Sequence, residues 1–119
     1  MVRILVVDDD KNTRRYIEAV LTAENFTVLT ATNGEEALEV MDKEHIDLVV
    51  LDIMMPKMSG FEVCRMLKAD PKTRDIQIIM VTALNEVGDH ERAVDCGTDE
   101  FLPKPVNRIE LITRVKSLL

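Results

Sequence analysis

Ile4-Leu5-Val6-Val7-Asp8-Asp9-Asp10 (ILVVDDD) runs four apolar residues straight into three carboxylates. The apolar half reads as a short strand. The acidic half is a cost: two ionised carboxylates about 4 Å apart repel by roughly 4 kcal/mol at the effective dielectric of a protein surface. A cation is the simplest thing that would offset it.

Outward from this stretch, short apolar runs alternate with amphipathic ones. Residues 3–7, 27–31, 46–51, 76–81 and 100–102 read as strands, and the third and fourth are continuous apolar runs of the kind found when both sheet faces are covered. Between and after them, residues 12–24, 35–43, 60–69, 87–96 and 108–119 read as helices. Their apolar stripes are Ile17, Val20 and Leu21; Ala37, Leu38 and Met41; Val63, Met66 and Leu67; and Leu111, Ile112, Val115 and Leu119, with the stretch 87–96 the weakest. Asn33 with Glu36, and Ser59 with Glu62, have the spacing of helix starts, and Gly97 suits a helix end. The loop around Pro71 is the densest polar stretch.

This alternation predicts an α/β fold, a single five-stranded parallel sheet flanked by five helices, with right-handed crossovers and the flavodoxin-like order 2-1-3-4-5. The expectation is one domain over residues 1–119, either standing alone or forming the front part of a longer protein. In such sheets the site lies beyond the carboxyl ends of the strands, where strand order reverses. Strand one ends at Asp8 and Asp9, strand three at Asp52 and strand four at Thr82, while Lys104-Pro105 follows strand five. If strands one and three are neighbours, three acids, a hydroxyl and an amine face one cleft. Carboxylates with a backbone carbonyl and water form a hard-oxygen site suited to Mg2+, with no soft ligand inviting zinc. A carboxylate bordering bound metal can also act as a nucleophile toward phosphorus, with Thr82 and Lys104 binding the remaining phosphoryl oxygens.

Composition narrows the classes further. With 22 acidic against 15 basic residues the net charge is −7, so a broad electrostatic grip on nucleic acid or an anionic membrane is not expected. No segment approaches the ~20 apolar residues of a membrane span, no signal peptide leads the chain, and a cytoplasmic location is expected. Cys64 and Cys96 have no metal-ligand spacing and read as reduced thiols.

The motifs VVDDD at 6–10, LDIMMPKMSG at 51–60, VTA at 81–83 and FLPKP at 101–105 together resemble the receiver domain of two-component response regulators along essentially the whole chain. That resemblance implies that Asp52 accepts a phosphoryl group from a sensor histidine kinase or phosphotransfer protein. It implies a metal site of Asp8, Asp9, Asp52 and the backbone carbonyl of Met54, holding Mg2+ with Mn2+ as a substitute. Lys104 would pair with the phosphoryl oxygens, Thr82 would move to bond them, and the bond before Pro105 would be cis. Phe101 would be the aromatic switch partner of Thr82, without the hydroxyl that some members carry there. Met54 and Leu84, at positions governing water access, are both apolar and imply slow loss of the phosphoryl group. The readout face of the fourth helix, fifth strand and last helix would carry Arg92, Asp95, Asp99, Glu100, Glu110, Arg114 and Lys116. It would meet an output domain, a downstream protein or a phosphorylation-dependent second copy.

Simpler readings exist for each part. The acidic triplet alone could favour a helix N-terminus through its dipole, Thr82 could satisfy local backbone, Lys104 could be a solvated charge, and the charged face could be only solvated. Met54, Met55 and Met58 read as packing and loop residues, and His45 and His90 have no acid or nucleophile at a catalytic spacing. A haloacid-dehalogenase-type phosphohydrolase would match Asp8-x-Asp10 but needs Thr or Val where Asn12 stands. A flavodoxin-like mononucleotide binder needs a hydroxyl-rich cradle after strand one, where three acids stand instead. A phosphorylation-independent interaction module of the same fold would not need the full set of site residues.

Overall fold

In the computed structural model, which describes residues 1–82, 98 and 100–119, strands and helices alternate from the start. They are β1 (Arg3–Val7), α1 (Lys11–Ala23), β2 (Thr27–Ala31), α2 (Gly34–Lys43), β3 (Leu48–Asp52), α3 (Gly60–Ala69), β4 (Gln77–Thr82), β5 (Glu100–Pro103) and α4 (Arg108–Leu118). The helix expected at 87–96, the end expected at Gly97, and Leu84, His90 and Cys96 lie outside the described residues.

All five strands are parallel, in the order β2-β1-β3-β4-β5. The sheet divides each apolar run by its period of two. Leu5, Val7, Val49, Leu51, Ile78 and Met80 face the layer with α2 and α3. Ile4, Val6, Leu48, Val50, Ile79 and Val81 face α1 and α4. A continuous apolar run is what such a strand requires, since neither face meets water.

β1 and β2 keep the expected bounds, while those of β3, β4 and β5 shift by one or two residues. β3 begins at Leu48, and Ile46 is buried in the preceding turn; β3 runs on to Asp52, which pairs with Val81, and β4 runs to Thr82. Asp52 and Thr82 are therefore the last members of their strands, while Asp8 and Lys104 directly follow theirs. Two expected core residues face outward: Met66 is 48% exposed and Leu119 50%. In α3 the buried positions are Gly60, Phe61, Val63, Cys64 and Leu67, which centres the stripe away from Met66. Leu119 lies past the last helical turn.

Asn33 caps α2 by accepting from the Glu36 amide at 2.8 Å, but the Glu36 carboxylate accepts from the Thr32 hydroxyl instead of reaching back to the cap. Ser59 accepts from the Glu62 amide at 3.3 Å. Asp10 and Asn107 cap α1 and α4 in the same way. Cys64 is a buried thiol outside any disulfide. His45, contrary to expectation, does have an acid partner: Nε2 lies 2.7 Å from Asp47. The other Asp47 oxygen accepts from the Arg3 amide, so the cluster ties the start of β1 to the turn before β3.

Candidate functional site

Register alone brings the acids together. Val7 pairs with Leu51, so Asp8 and Asp52 leave adjacent strands side by side at their carboxyl ends. The triplet then divides its work. Asp10 caps α1, its carboxylate accepting from the Asn12 amide and, at 2.7 Å, from the Thr13 hydroxyl. Those hydrogen bonds, the Thr13 hydroxyl first, hold the Asp10 carboxyl below the usual carboxylate range. Asp8 and Asp9 turn toward Asp52, and one carboxylate oxygen from each of the three lies within 4.8 Å of the others. The helix-start reading is thus correct for Asp10, while the other two acids gather elsewhere.

Asp8 and Asp52 are almost completely buried and Asp9 is exposed, so the cluster opens to solvent on the Asp9 side. Lys104 closes the other side, with Nζ 3.1 Å from Asp8 Oδ2 and 3.3 Å from Asp52 Oδ1. Its amide donates to the Thr82 carbonyl at 2.8 Å, which ties the segment after β5 to the end of β4. The Lys104–Pro105 peptide bond is cis. Thr82 itself is fully buried, and Phe101 is half-buried opposite Met80 on the α2–α3 side of the sheet.

Burial pushes the Asp52 carboxyl up to about 7, with the Asp8 charge adding to it and Lys104 opposing. Burial works against the Lys104 charge, but contact with Asp8 and the charges of Asp52 and Asp8 outweigh it and hold the amine protonated more firmly than usual. Asp8 Oδ2 is buried and, although in ion-pair contact with Lys104, accepts no well-aligned hydrogen bond. Among the described residues one ammonium meets Asp8 and Asp52, with Asp9 beside them, which leaves the pocket short of positive charge. An under-coordinated buried oxygen among hard donors fits a small divalent cation such as Mg2+.

Three contacts had little sequence signal. The Arg14 guanidinium donates to the Asp8 backbone carbonyl at 2.9 Å and pins the turn between β1 and α1; nothing in a six-residue separation announces this. The Met54 amide donates to Asp52 Oδ1 at 3.3 Å, while the Met54 side chain is exposed. Gly60 starts α3 against the back of the site: its amide donates to the Ile53 carbonyl at 2.9 Å, and a Cβ there would strike the Asp52 carbonyl oxygen. A glycine directly after a Ser59 cap is the one visible hint, since a helix start does not itself need glycine.

Of the charged face, Arg92, Asp95 and Asp99 lie outside the described residues. Arg114 reaches Glu100 at 3.0 Å and Glu110 at 3.9 Å, so these three pair within the chain. Lys116 pairs with Glu24 at the end of α1, away from the other three.

Residues 4–116 match the family model described as the response regulator receiver domain. The chain belongs to this family. Receiver domains are signalling domains of two-component systems, and the acidic pocket of this one is consistent with phosphoacceptor and Mg2+ chemistry. This receiver domain is 48% identical over 117 residues to the probable transcriptional regulator ycf27 of Pyropia yezoensis, covering 98% of this chain and 47% of that protein. It is 47% identical over 116 residues to the response regulator PleD of Caulobacter vibrioides, covering 98% of this chain and 26% of that one. The receiver domain therefore spans between about a quarter and a half of the length of these two curated relatives. The response regulator TrrA of Thermotoga maritima, solved in complex with Mg2+ and BeF, superposes with a TM-score of 0.89 at 40% identity over the whole of both chains.

Proposed function

We propose that Asp52 is the phosphoacceptor and that Asp8, Asp9, Thr82 and Lys104 serve its phosphorylation. The observation that carries this reading is the junction of Asp8, Asp9, Asp52 and Lys104 at the carboxyl ends of β1 and β3, with Thr82 at the end of β4. An ionised Asp52 oxygen attacks phosphorus. An O–P bond forms while the bond from phosphorus to the nitrogen of a donor phosphohistidine breaks, its electron pair leaving on the imidazole. Lys104, already between Asp8 and Asp52, follows the new negative charge and pairs with the phosphoryl oxygens. Thr82 is the hydroxyl one strand further along and donates to the same group. Asp8, Asp9, Asp52 and the Met54 backbone carbonyl would hold Mg2+, or Mn2+ in its place, which neutralises charge on the transferring group.

The acyl phosphate adds about one negative charge and several acceptor oxygens. Drawing Lys104 and Thr82 toward it pulls on β5 through the Lys104 amide and the Thr82 carbonyl, and on the β5 side chain Phe101. The readout passes to the Glu100, Glu110 and Arg114 face, with Arg92, Asp95, Asp99 and Lys116 as further candidates. An output domain, a downstream protein or a second copy docks there. The domain catalyses only its own phosphorylation and dephosphorylation, and its partner upstream is a sensor histidine kinase or phosphotransfer protein in the cytoplasm. Among the described residues no helix is long and apolar enough to cross a membrane.

Incubation with Mg2+ and acetyl phosphate, followed by intact mass, tests the reading. One phosphoryl mass is expected, absent in Asp52→Asn and after chelation. Modification that survives in Asp52→Asn would place the acceptor elsewhere.

A further inference from the structure

At the opposite end of the sheet from the phosphoacceptor, a groove of about 770 Å³ opens between the carboxyl-terminal halves of α2 and α3. Five residues of β3 separate the two ends, about 17 Å at the usual rise, so the groove is a separate surface. Its origin is in packing. At their amino ends the two helices are nearly in contact: a Cβ on Gly34 would lie 2.7 Å from Val63 Cγ2 and 3.0 Å from Met58 Sδ. Further along, the larger side chains Leu38, Met41, Met66 and Leu67 line an open space floored by Ile46 and Ile76.

The rim is acidic. Glu39, Asp42, Asp70 and Asp75 are exposed around it, with Lys72 and the His45 ring as the basic groups among the lining residues. Glu44 and Asp47 also line it but are already engaged, Glu44 with Arg3 at 2.7 Å and Asp47 with the Arg3 amide and the His45 ring. Nearby Lys68 directs its ammonium to the Arg74 and Ile76 carbonyls beneath the loop. The carboxyl ends of α2 and α3 point the same way and each adds partial negative charge, opposed in part by Lys43 and Lys68 in their last turns. The groove thus offers apolar area, including the half-exposed and adaptable Met66, inside a field that rejects anions and attracts cations.

We propose that this groove docks a basic amphipathic helical segment of a partner protein. A third helix laid between α2 and α3 would set its apolar ridge on Leu38, Met41 and Met66. Its lysines and arginines would meet Glu39 and Asp42 on one wall and Asp70 and Asp75 on the other. The surface does not depend on the chemistry at Asp52, so it supplies an attachment that persists whether or not Asp52 is modified.

The test uses a short dye-labelled helical peptide of leucine and lysine in heptad spacing, its leucine–glutamate counterpart, and the whole 119-residue chain. Anisotropy gives affinity, and amide chemical shifts locate the site. The lysine peptide should perturb α2, α3 and the turns that follow them, and should bind at least about tenfold more tightly than the glutamate peptide. Glu39→Lys with Asp42→Lys, both exposed, should weaken it about tenfold while Asp52 modification by acetyl phosphate stays unchanged. Met66→Gln should weaken it without changing charge, which separates groove docking from attraction to an acidic surface at large. Perturbations elsewhere, binding indifferent to these substitutions, or no binding would overturn the proposal. So would concentration-dependent self-association lost in the double variant, which would give the groove to a second copy.

Discussion

Asp52 is the residue where burial and charge meet most sharply. Its carboxyl is pushed up to about 7, by burial first and by Asp8 second, against an ordinary value of 3.8. The folded chain therefore holds a proton between about pH 4 and pH 7 that the unfolded chain releases. Stability from this group is present below about pH 4 and is lost as pH rises through 7. Asp52→Asn should be the more stable chain at pH 8 in the absence of divalent metal, by on the order of 2 kcal/mol, and its advantage should shrink toward pH 4. Urea unfolding of both proteins across that range is the check. A difference independent of pH would mean that the buried carboxylate is not what weakens the wild type. Asp8, Asp9, Asp52, Thr82 and Lys104 were all legible as strand-end residues, but their division of labour was not. Asp10 is a third acid in the same run, and only its hydrogen bonds to the Asn12 amide and the Thr13 hydroxyl separate a cap from a ligand.

At the scale of elements, the position of α3 matters most, because Gly60 sets its first turn on the Asp52 backbone. Gly60→Ala must displace either α3 or the end of β3. A loss of about 2–3 kcal/mol in unfolding free energy is expected, as for other overpacked sites, together with slower phosphorylation by acetyl phosphate. Asn33→Ala is the matched comparison. It removes the cap of α2, which should cost about 1 kcal/mol, yet leave the phosphorylation rate alone because the Asn33 side chain bonds the Glu36 amide and none of the acids. Equal effects of both substitutions on rate would show that the rate follows global stability and not the seating of α3. The Ser59 and Asn33 caps could be read from sequence because they are local, three residues to the amide they bond. The contact of Gly60 with Asp52 and Ile53 depends on how a helix packs against a strand end, which spacing does not encode.

For the whole molecule, the three acids are a repulsion built into the folded state, and a divalent cation that binds only that state must stabilise it. Mg2+ at one hundred times its dissociation constant should add about 2.7 kcal/mol to unfolding free energy. Thermal unfolding with and without Mg2+ measures it, and Asp8→Asn should abolish most of the gain while leaving a folded protein. An equal gain in Asp8→Asn would point to binding away from the pocket.

The sequence by itself determined the alternating architecture, the strand order and the ends at which the acids gather. Apolar periodicity and strand-end acids are written in neighbouring residues, and parallel sheets permit few connections. The tertiary structure decided what depends on distant segments meeting. Lys104 bridges Asp8 and Asp52, Arg14 fastens the Asp8 carbonyl, and Met66 turns outward above a groove formed because Gly34 lets two helices meet at one end only. Those features follow from side-chain volume and from the separation of charges in space, quantities that a linear pattern does not carry.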